Sequence, residues 1–75
     1  MALQWVLAAN GSHYAVGRSG MAYRVTRRRR PNFDGYEVLG FREGPAGIVV
    51  QAGPFESLDV GKEKAEGLEA AELGK

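Results

Sequence analysis

The sequence predicts an α+β fold, in which an antiparallel β-meander of four to five short strands is followed by one C-terminal helix packed on one sheet face. Apolar and polar residues alternate over the first two-thirds of the chain, which is typical of strands with one buried face. Turn residues interrupt this alternation at short intervals, and after residue 57 the apolar spacing becomes helical. Because 75 residues have room for one core, residues 1–75 are expected to form a single domain.

The first two strands are predicted over residues 3–8 and 12–16. Between them lies the dipeptide Asn10-Gly11, the strongest signal for a two-residue hairpin turn, since both residues tolerate positive φ. Apolar residues occupy alternate positions of the first strand, which places them on one face of the sheet. The two strands are therefore expected to pair as a hairpin.

The third strand is predicted over residues 21–28, after a turn over residues 17–20 that has a glycine at each end. The two faces of this strand differ in chemistry. One face carries Met21, Tyr23 and Val25, and the other carries Arg24, Thr26 and Arg28. The apolar face is expected to lie on the core, and the basic face is left to solvent or to a partner.

The fourth and fifth strands are predicted over residues 36–42 and 48–52. A loop over residues 31–35 precedes the fourth strand, and its last two residues, Asp34-Gly35, are a typical turn dipeptide. A second turn is predicted over residues 43–47, which contain two glycines and a proline. The strands on each side of this turn are expected to be neighbours in the sheet.

The helix is predicted over residues 58–72. Ser57 is a favourable N-cap, Asp59 complements the helix dipole in the first turn, and Gly74 is expected to end the helix. Phe55, just before the cap, is expected to anchor the segment in the core. The buried face is predicted to contain Gly61, Ala65, Leu68 and Ala71 or Glu72, and the solvent face Lys62, Glu63, Glu66 and Glu69.

The net charge of +1 conceals a strong asymmetry along the chain. Residues 1–42 contain seven arginines and two acidic residues, whereas residues 43–75 contain three lysines and seven acidic residues. The planar guanidinium of arginine suits bidentate contacts with phosphate or carboxylate, while lysine is common on solvated helix surfaces. The molecule is therefore expected to have a basic sheet and an acidic helix.

The composition argues against an enzyme or a metalloprotein. The chain has no cysteine and a single histidine, His13, so the usual ligands of a zinc site are lacking. The serines show no nucleophile-elbow or triad pattern. The segment Gly17-Arg18-Ser19-Gly20 could cradle a phosphate, but it lacks the lysine and the following helix of a P-loop. We expect no catalytic residue, no metal and no cofactor.

The sequence also favours a cytoplasmic location. Absence of cysteine suits a reducing compartment. The first residues, MALQWVLAANG, lack the basic start and the long apolar run of a signal peptide. No segment approaches the roughly 20 apolar residues of a membrane helix, so no membrane partner is expected.

Four consecutive arginines, residues 27–30, have two interpretations. They can be the solvated end of a hairpin, where charge prevents edge-to-edge pairing of strands. Alternatively, Arg24, Arg28 and Arg30 form a stripe that contacts phosphates on the sheet face opposite the core. In this second interpretation Arg18, Arg27, Arg29 and Arg42 widen the stripe. Strand alternation places Arg27 and Arg29 on the core side, which favours a hairpin arm projecting beyond the core.

Phe33 lies next to the arginines in the predicted loop and also has two interpretations. Its side chain can fold back on the sheet. It can instead act as an apolar wedge between bases or as an anchor in a protein interface.

The segment Gly53-Pro54-Phe55-Glu56-Ser57 and the helix after it resemble the end of two families of three-stranded DNA-binding domains. These are the domains of plant ethylene-response factors and the arm-binding domains of phage integrases; small phage and bacterial βα proteins share the pattern. The matching structural positions are Gly53, Phe55, Ser57, Gly61 and Ala65. In both families a β-meander lies in the major groove and a helix supports it from behind, so the resemblance implies a DNA-binding sheet.

The resemblance covers about the last forty residues of the chain. The chain departs from these families in its two additional N-terminal strands. It also has Lys62 and Lys64 where the families have alanines in the helix. No DNA-reading residue is carried over by the resemblance.

The sequence thus predicts a non-enzymatic nucleic-acid-binding module that uses its arginines on duplex DNA. The alternative is a small phage, prophage or bacterial inhibitor that binds an acidic surface of a host protein. In that alternative the arginines and Phe33, or a phosphate-like face of Glu63, Glu66 and Glu69, make the contact. A homodimer formed through an exposed strand edge is a third possibility.

Overall fold

Five antiparallel strands and one helix make up the part of the chain, residues 3–42 and 47–75, that the computed structural model describes. The strands are β1 (Val6–Leu7), β2 (His13–Val16), β3 (Met21–Arg30), β4 (Phe33–Arg42) and β5 (Gly47–Phe55), and the helix is α1 (Leu58–Leu73). They form one sheet in the order β1-β2-β3-β4-β5, with α1 packed against it. The predicted fold class is confirmed. Most of the turn predicted over residues 43–47 lies outside the described residues.

The first hairpin forms, but five residues, 8–12, connect its strands, and its first strand has only two residues. The Ala8 N–H donates to the Ser12 carbonyl at 2.9 Å, and the Gly11 N–H donates to the Ala8 carbonyl at 3.0 Å. Gly11 has φ of +85°, the left-handed conformation that this loop requires after its tight turn. The Asn10 side chain accepts a further bond from the Ser12 N–H at 2.9 Å. β1 is thus shorter than the strand predicted over residues 3–8.

The second hairpin turns earlier than predicted, at Pro31-Asn32, and β4 begins at Phe33. Gly35 lies inside β4, so the expected Asp34-Gly35 turn is wrong. The glycine is needed there for another reason. A Cβ atom at this position would lie 2.6 Å from the Phe55 carbonyl oxygen, and φ is +149°. The dipeptide therefore marks the close approach of β5 rather than a reversal of the chain.

The core lies between α1 and the central strands β3 and β4. Its fully or almost fully buried members are Met21, Tyr23, Val25, Val38 and Ala65. Helix and sheet meet closely because Gly61 has no side chain: a Cβ atom there would lie 2.9 Å from Cγ1 of Val25. Phe55 packs against this cluster, as predicted.

The helix begins as predicted, because the Ser57 hydroxyl accepts a hydrogen bond from the Val60 N–H at 3.2 Å. Gly61 and Ala65 lie on its buried face. The prediction that Glu69 lies on the solvent face is wrong, because only 4% of its surface is exposed. Within the described residues no helix is long and apolar enough to span a membrane.

Candidate nucleic-acid interface

The four consecutive arginines lie on a two-stranded ribbon that extends past the rest of the sheet. β3 and β4 pair along their whole length, ending with Arg30 opposite Phe33. β2 pairs with β3 only as far as Val25, and β5 pairs with β4 only as far as Tyr36. Residues 27–36 are called the arm below, and beyond its first pair, Arg27 and Tyr36, no third strand of the described residues pairs with the ribbon. From its first residue pair to its last the arm spans about 10 Å.

Three arginines surround an open depression at the end of the arm. Arg27, Arg29 and Arg30, together with Pro31 and Asp34, line this depression of about 470 Å³. All three arginines are exposed. Arg27 makes two contacts. It forms a 3.5 Å ion pair with Asp34, and its guanidinium carbon lies over the Tyr36 ring, 5.5 Å from the ring centroid. Among the described residues, Arg29 and Arg30 form no ion pair.

Arg28 lies on the open sheet face, as its strand position predicts, but it is neutralised there. Its Nε donates to Oε1 of Glu37 at 3.1 Å, and Gln51 Nε2 donates to Oε2 of the same carboxylate at 2.7 Å. Glu37 is only 6% exposed. Burial opposes its charge, but the hydrogen bonds from Gln51 and Arg28 outweigh burial and lower the pKa of Glu37. A buried carboxylate therefore interrupts the expected basic stripe.

Arg24 also lies on the open face, where it packs on the ring of Phe41. Its guanidinium carbon is 5.7 Å from the centroid of the Phe41 ring. It lies opposite Tyr14 in the register of β2 and β3. A hydrogen bond with Asn10, followed by the influence of Arg24, lowers the pKa of Tyr14. Arg24 thus serves partly as a cover for this face of the sheet.

Arg18 and Arg42 lie far from the arm. Arg42 is the last residue of β4 and pairs with Met21, the first residue of β3, at the end of the ladder opposite the arm. It forms an ion pair with Glu72, which also binds Lys75 at 2.7 Å. Arg18 lies in the turn between β2 and β3, near that same end. The seven arginines therefore do not form one continuous surface.

Phe33 folds back towards the sheet. It is half-buried, and a Cβ atom on Gly53 would lie 3.2 Å from its Cζ atom, so the ring lies against the end of β5. Arg30 is its partner across the ribbon. The ring therefore supports the base of the arm, which is the first of the two interpretations of Phe33.

The turn over residues 17–20 does contain an anion site, but a carboxylate of the protein fills it. Glu69 accepts bonds from the Ser19 N–H at 3.0 Å, the Ser19 hydroxyl at 2.6 Å and the Tyr23 hydroxyl at 2.9 Å. Gly17 lies so close that a Cβ atom there would overlap the Glu69 carboxylate. The turn is thus closed to an external phosphate.

The Tyr23–Glu69 pair should make the stability of the protein depend on pH at both extremes. Burial opposes the charge of Glu69, but hydrogen bonds from Ser19 outweigh burial and lower its pKa below 4.5. Its contribution is present above that value and lost as the pH falls through the lowered pKa. Burial, followed by the hydrogen bond to Glu69, raises the pKa of Tyr23 from 10.0 to about 12. That contribution is full below pH 10 and lost as the pH rises towards 12.

Urea unfolding over a series of pH values measures both losses. Glu37 and Glu72 also have lowered pKa values and add to the acid loss. The alkaline loss should be absent from Tyr23→Phe, which lacks the ionisable hydroxyl. An unchanged alkaline loss in this variant would contradict the assignment to Tyr23.

The place of the arginines on a hairpin follows from the sequence, but the carboxylate of Glu37 that neutralises Arg28, and the bond from Gln51 that holds it, do not. Glu37 and Gln51 lie at strand positions where a polar residue facing solvent is expected, so the sequence pattern does not distinguish them.

Among residues 3–42 and 47–75, no group of histidine and acidic side chains could hold a metal ion. No family model, curated protein or solved structure matches the chain.

Proposed function

We propose that this protein is a non-enzymatic nucleic-acid-binding module whose arm enters a groove of duplex DNA. The observation that carries the proposal is the group of three exposed arginines around the depression at the end of the arm. Arg29 and Arg30 form no ion pair among the described residues, so their guanidinium groups can contact phosphates without first breaking one.

The shape of the arm fits a groove of duplex DNA. The major groove, about 12 Å wide, admits a two-stranded β-ribbon. Phosphate contacts from Arg27, Arg29 and Arg30 would position the ribbon, and the same side chains could reach guanine edges. Arg24 and Arg28 lie on the open face and would contribute less, because Phe41 and Glu37 already hold them.

The distribution of charge supports an orientation in which the arm faces DNA and the helix points away from it. The helix carries exposed acidic side chains, including Asp59 and Glu63, whereas the arm carries only Asp34 against four arginines. A polyanion attracts the arm and repels the helix, so the arm would approach first.

Two contacts count against the alternative in which the protein is an inhibitor of a host protein. Phe33 lies against Gly53 and is not presented as an interface anchor. Glu69 is buried in its turn and cannot join Glu63 and Glu66 in a phosphate-like face. An acidic protein surface remains a chemical match for the arm arginines alone.

A salt titration of DNA binding tests the proposal. For a short mixed-sequence duplex, Arg29→Ala with Arg30→Ala should weaken binding and reduce the log–log salt slope by about 0.9 for each phosphate that the variant no longer neutralises. Fluorescence anisotropy at several potassium chloride concentrations measures both quantities.

The matched control removes the same charge from the other side of the molecule, with Lys64→Ala and Lys75→Ala. This control should keep the salt slope of the wild type. If both double variants lose affinity equally, general charge and not the arm causes binding. If the wild type binds no duplex at low salt, the proposed binding of duplex DNA is wrong. Single-stranded DNA and RNA in the same titration then show whether the protein binds another nucleic acid.

A further inference from the structure

β5 is an edge strand without a single charged residue. Its nine residues, Gly47–Phe55, read GIVVQAGPF, and the sheet order places it at one end. Natural edge strands are usually protected by charges, proline or a covering segment, because their free N–H and C=O groups can pair with another strand. Here Pro54 protects the last part of the strand, and the register with β4 shifts at Gly53-Pro54 and at Val49. Ile48 is 54% exposed and Val49 is 49% exposed.

An apolar groove runs between β5 and α1. The helix lies mainly over β3 and β4 and contacts β5 less, which leaves part of the helix side of β5 uncovered. Two depressions of about 290 and 540 Å³ adjoin along this gap, and both are lined by Leu68 and Ala71. Val49 lines the groove near the start of β5, and Phe55 lines it near the end. An added strand at this edge could place every second side chain in the groove.

The other edge of the sheet is a poorer partner. β1 has only two residues, Val6 and Leu7, although both side chains are largely exposed. So short a strand offers few backbone groups for pairing. A depression lined by Val6 and Val16 adjoins β1 as well, but within the described residues only β5 combines an apolar groove with an uncharged strand of nine residues.

From these features we infer that β5 pairs antiparallel with β5 of a second copy of the chain, which joins two five-stranded sheets into one of ten strands. A two-fold axis perpendicular to the sheet makes this contact isologous and keeps both helices on the same side. Val49 and Val50, which line the groove of their own copy, then lie beside the paired edge. The uncharged edge of one copy thereby meets an equally uncharged edge.

Charge at the two ends of the groove favours a second copy as the occupant. Arg42 and Lys75, which share Glu72, line the end near Gly47. At the end near Phe55 lie Glu63 and Lys64, and the exposed Glu56 follows the strand directly. With Glu72 counted, the first end has one net positive charge and the second one net negative charge, and antiparallel pairing brings the two together twice in each dimer. An apolar peptide without these charges would gain no such contacts.

The arrangement affects how the arms are displayed. Because the two β5 strands run in opposite directions, the two arms of a dimer point away from each other along one continuous sheet. Each dimer therefore offers two nucleic-acid-binding ends, although self-association does not depend on the function proposed for the arm.

Sedimentation equilibrium over a concentration range that extends to the millimolar tests the inference. The wild type should approach twice the 8.1 kDa of one chain at high concentration. Val49→Lys places a charge in the paired edge and should raise the dissociation constant at least tenfold. The matched control is Val16→Lys, which adds the same charge at a valine of β2 that is 74% exposed and outside the interface. This control should associate as the wild type does.

A wild type that remains monomeric overturns the inference, whatever else binds at the edge. An unchanged dissociation constant for Val49→Lys, or an equal loss in Val16→Lys, also overturns it. If Val49→Lys does not fold, amide hydrogen exchange of the wild type decides the question. Protection at residues 48–52 should rise with protein concentration, and protection independent of concentration contradicts the dimer.

Discussion

Glu69→Ala is expected to lower the free energy of unfolding by about 3–5 kcal/mol, since three buried or half-buried donors lose their acceptor. These donors are the N–H and hydroxyl of Ser19 and the hydroxyl of Tyr23. Tyr23 is fully buried, so its hydroxyl has little access to solvent as a replacement partner. A chain of this size has a total stability of only about 3–5 kcal/mol, so much of the variant should be unfolded at room temperature.

Two further variants separate the role of the Glu69 carboxylate from the loss of a charged helix residue. Glu69→Gln keeps the volume but presents an NH₂ group to one of the donors, so it should cost less than Glu69→Ala and still be destabilising. Glu63→Ala removes an exposed carboxylate of the same helix and should change stability by less than about 0.5 kcal/mol. Urea unfolding followed by circular dichroism measures all three variants. Equal stability of Glu69→Ala and Glu63→Ala would show that the buried contacts are not stabilising.

The same substitution at two glycines of α1 is expected to have opposite effects. Gly61→Leu should destabilise the protein by about 3 kcal/mol, because the new side chain must displace a tightly packed helix from the sheet. A Cβ atom at Gly61 would lie 2.9 Å from Val25 and 3.6 Å from Val38, both fully buried. The gain in helix propensity, about 0.8 kcal/mol, offsets only part of this cost.

Gly67→Leu is the matched control for Gly61→Leu. Nothing lies within 4 Å of a Cβ atom at Gly67, and the position is exposed. The gain in helix propensity should therefore appear undiminished, as a stabilisation of about 0.8 kcal/mol. Thermal unfolding of both variants tests the pair. Two changes of the same sign would contradict the close packing of helix and sheet at Gly61.

The two hairpins illustrate which turns can be predicted from sequence. The turn at Asn10-Gly11 can be predicted because its hydrogen bonds are local. The Asn10 side chain accepts from the Ser12 N–H, and the Gly11 N–H donates to the Ala8 carbonyl. Asp34-Gly35 carries an equally strong local signal, yet it lies inside β4. Gly35 is required because the backbone of Phe55, twenty residues later in the chain, lies too close to allow a side chain. No local sequence pattern includes that contact.

The sequence likewise predicts some features of the candidate site and not others. The clustering of Arg27 to Arg30 and their place beyond the core follow from the sequence, because strand alternation cannot bury charged residues on the core side. The differences among these arginines do not follow from it. Arg28 is neutralised by Glu37 of β4, whose carboxylate Gln51 of β5 also bonds. Arg29 and Arg30 lie nearer the end of the ribbon, beyond the last residue of β5 that pairs with β4.

By itself the sequence determined the order of the elements, the change from strand to helix after Ser57 and the burial of Gly61 and Ala65. These features depend on periodicity and on capping within a few residues. Only the tertiary structure decided that Glu69 is a buried acceptor and that β5 is an open edge. A glutamate at a helical position looks the same whether water or a distant turn lies opposite it, and its partner Ser19 is 50 residues away in the chain. Such contacts are created by packing, and packing joins residues that the local sequence leaves unrelated.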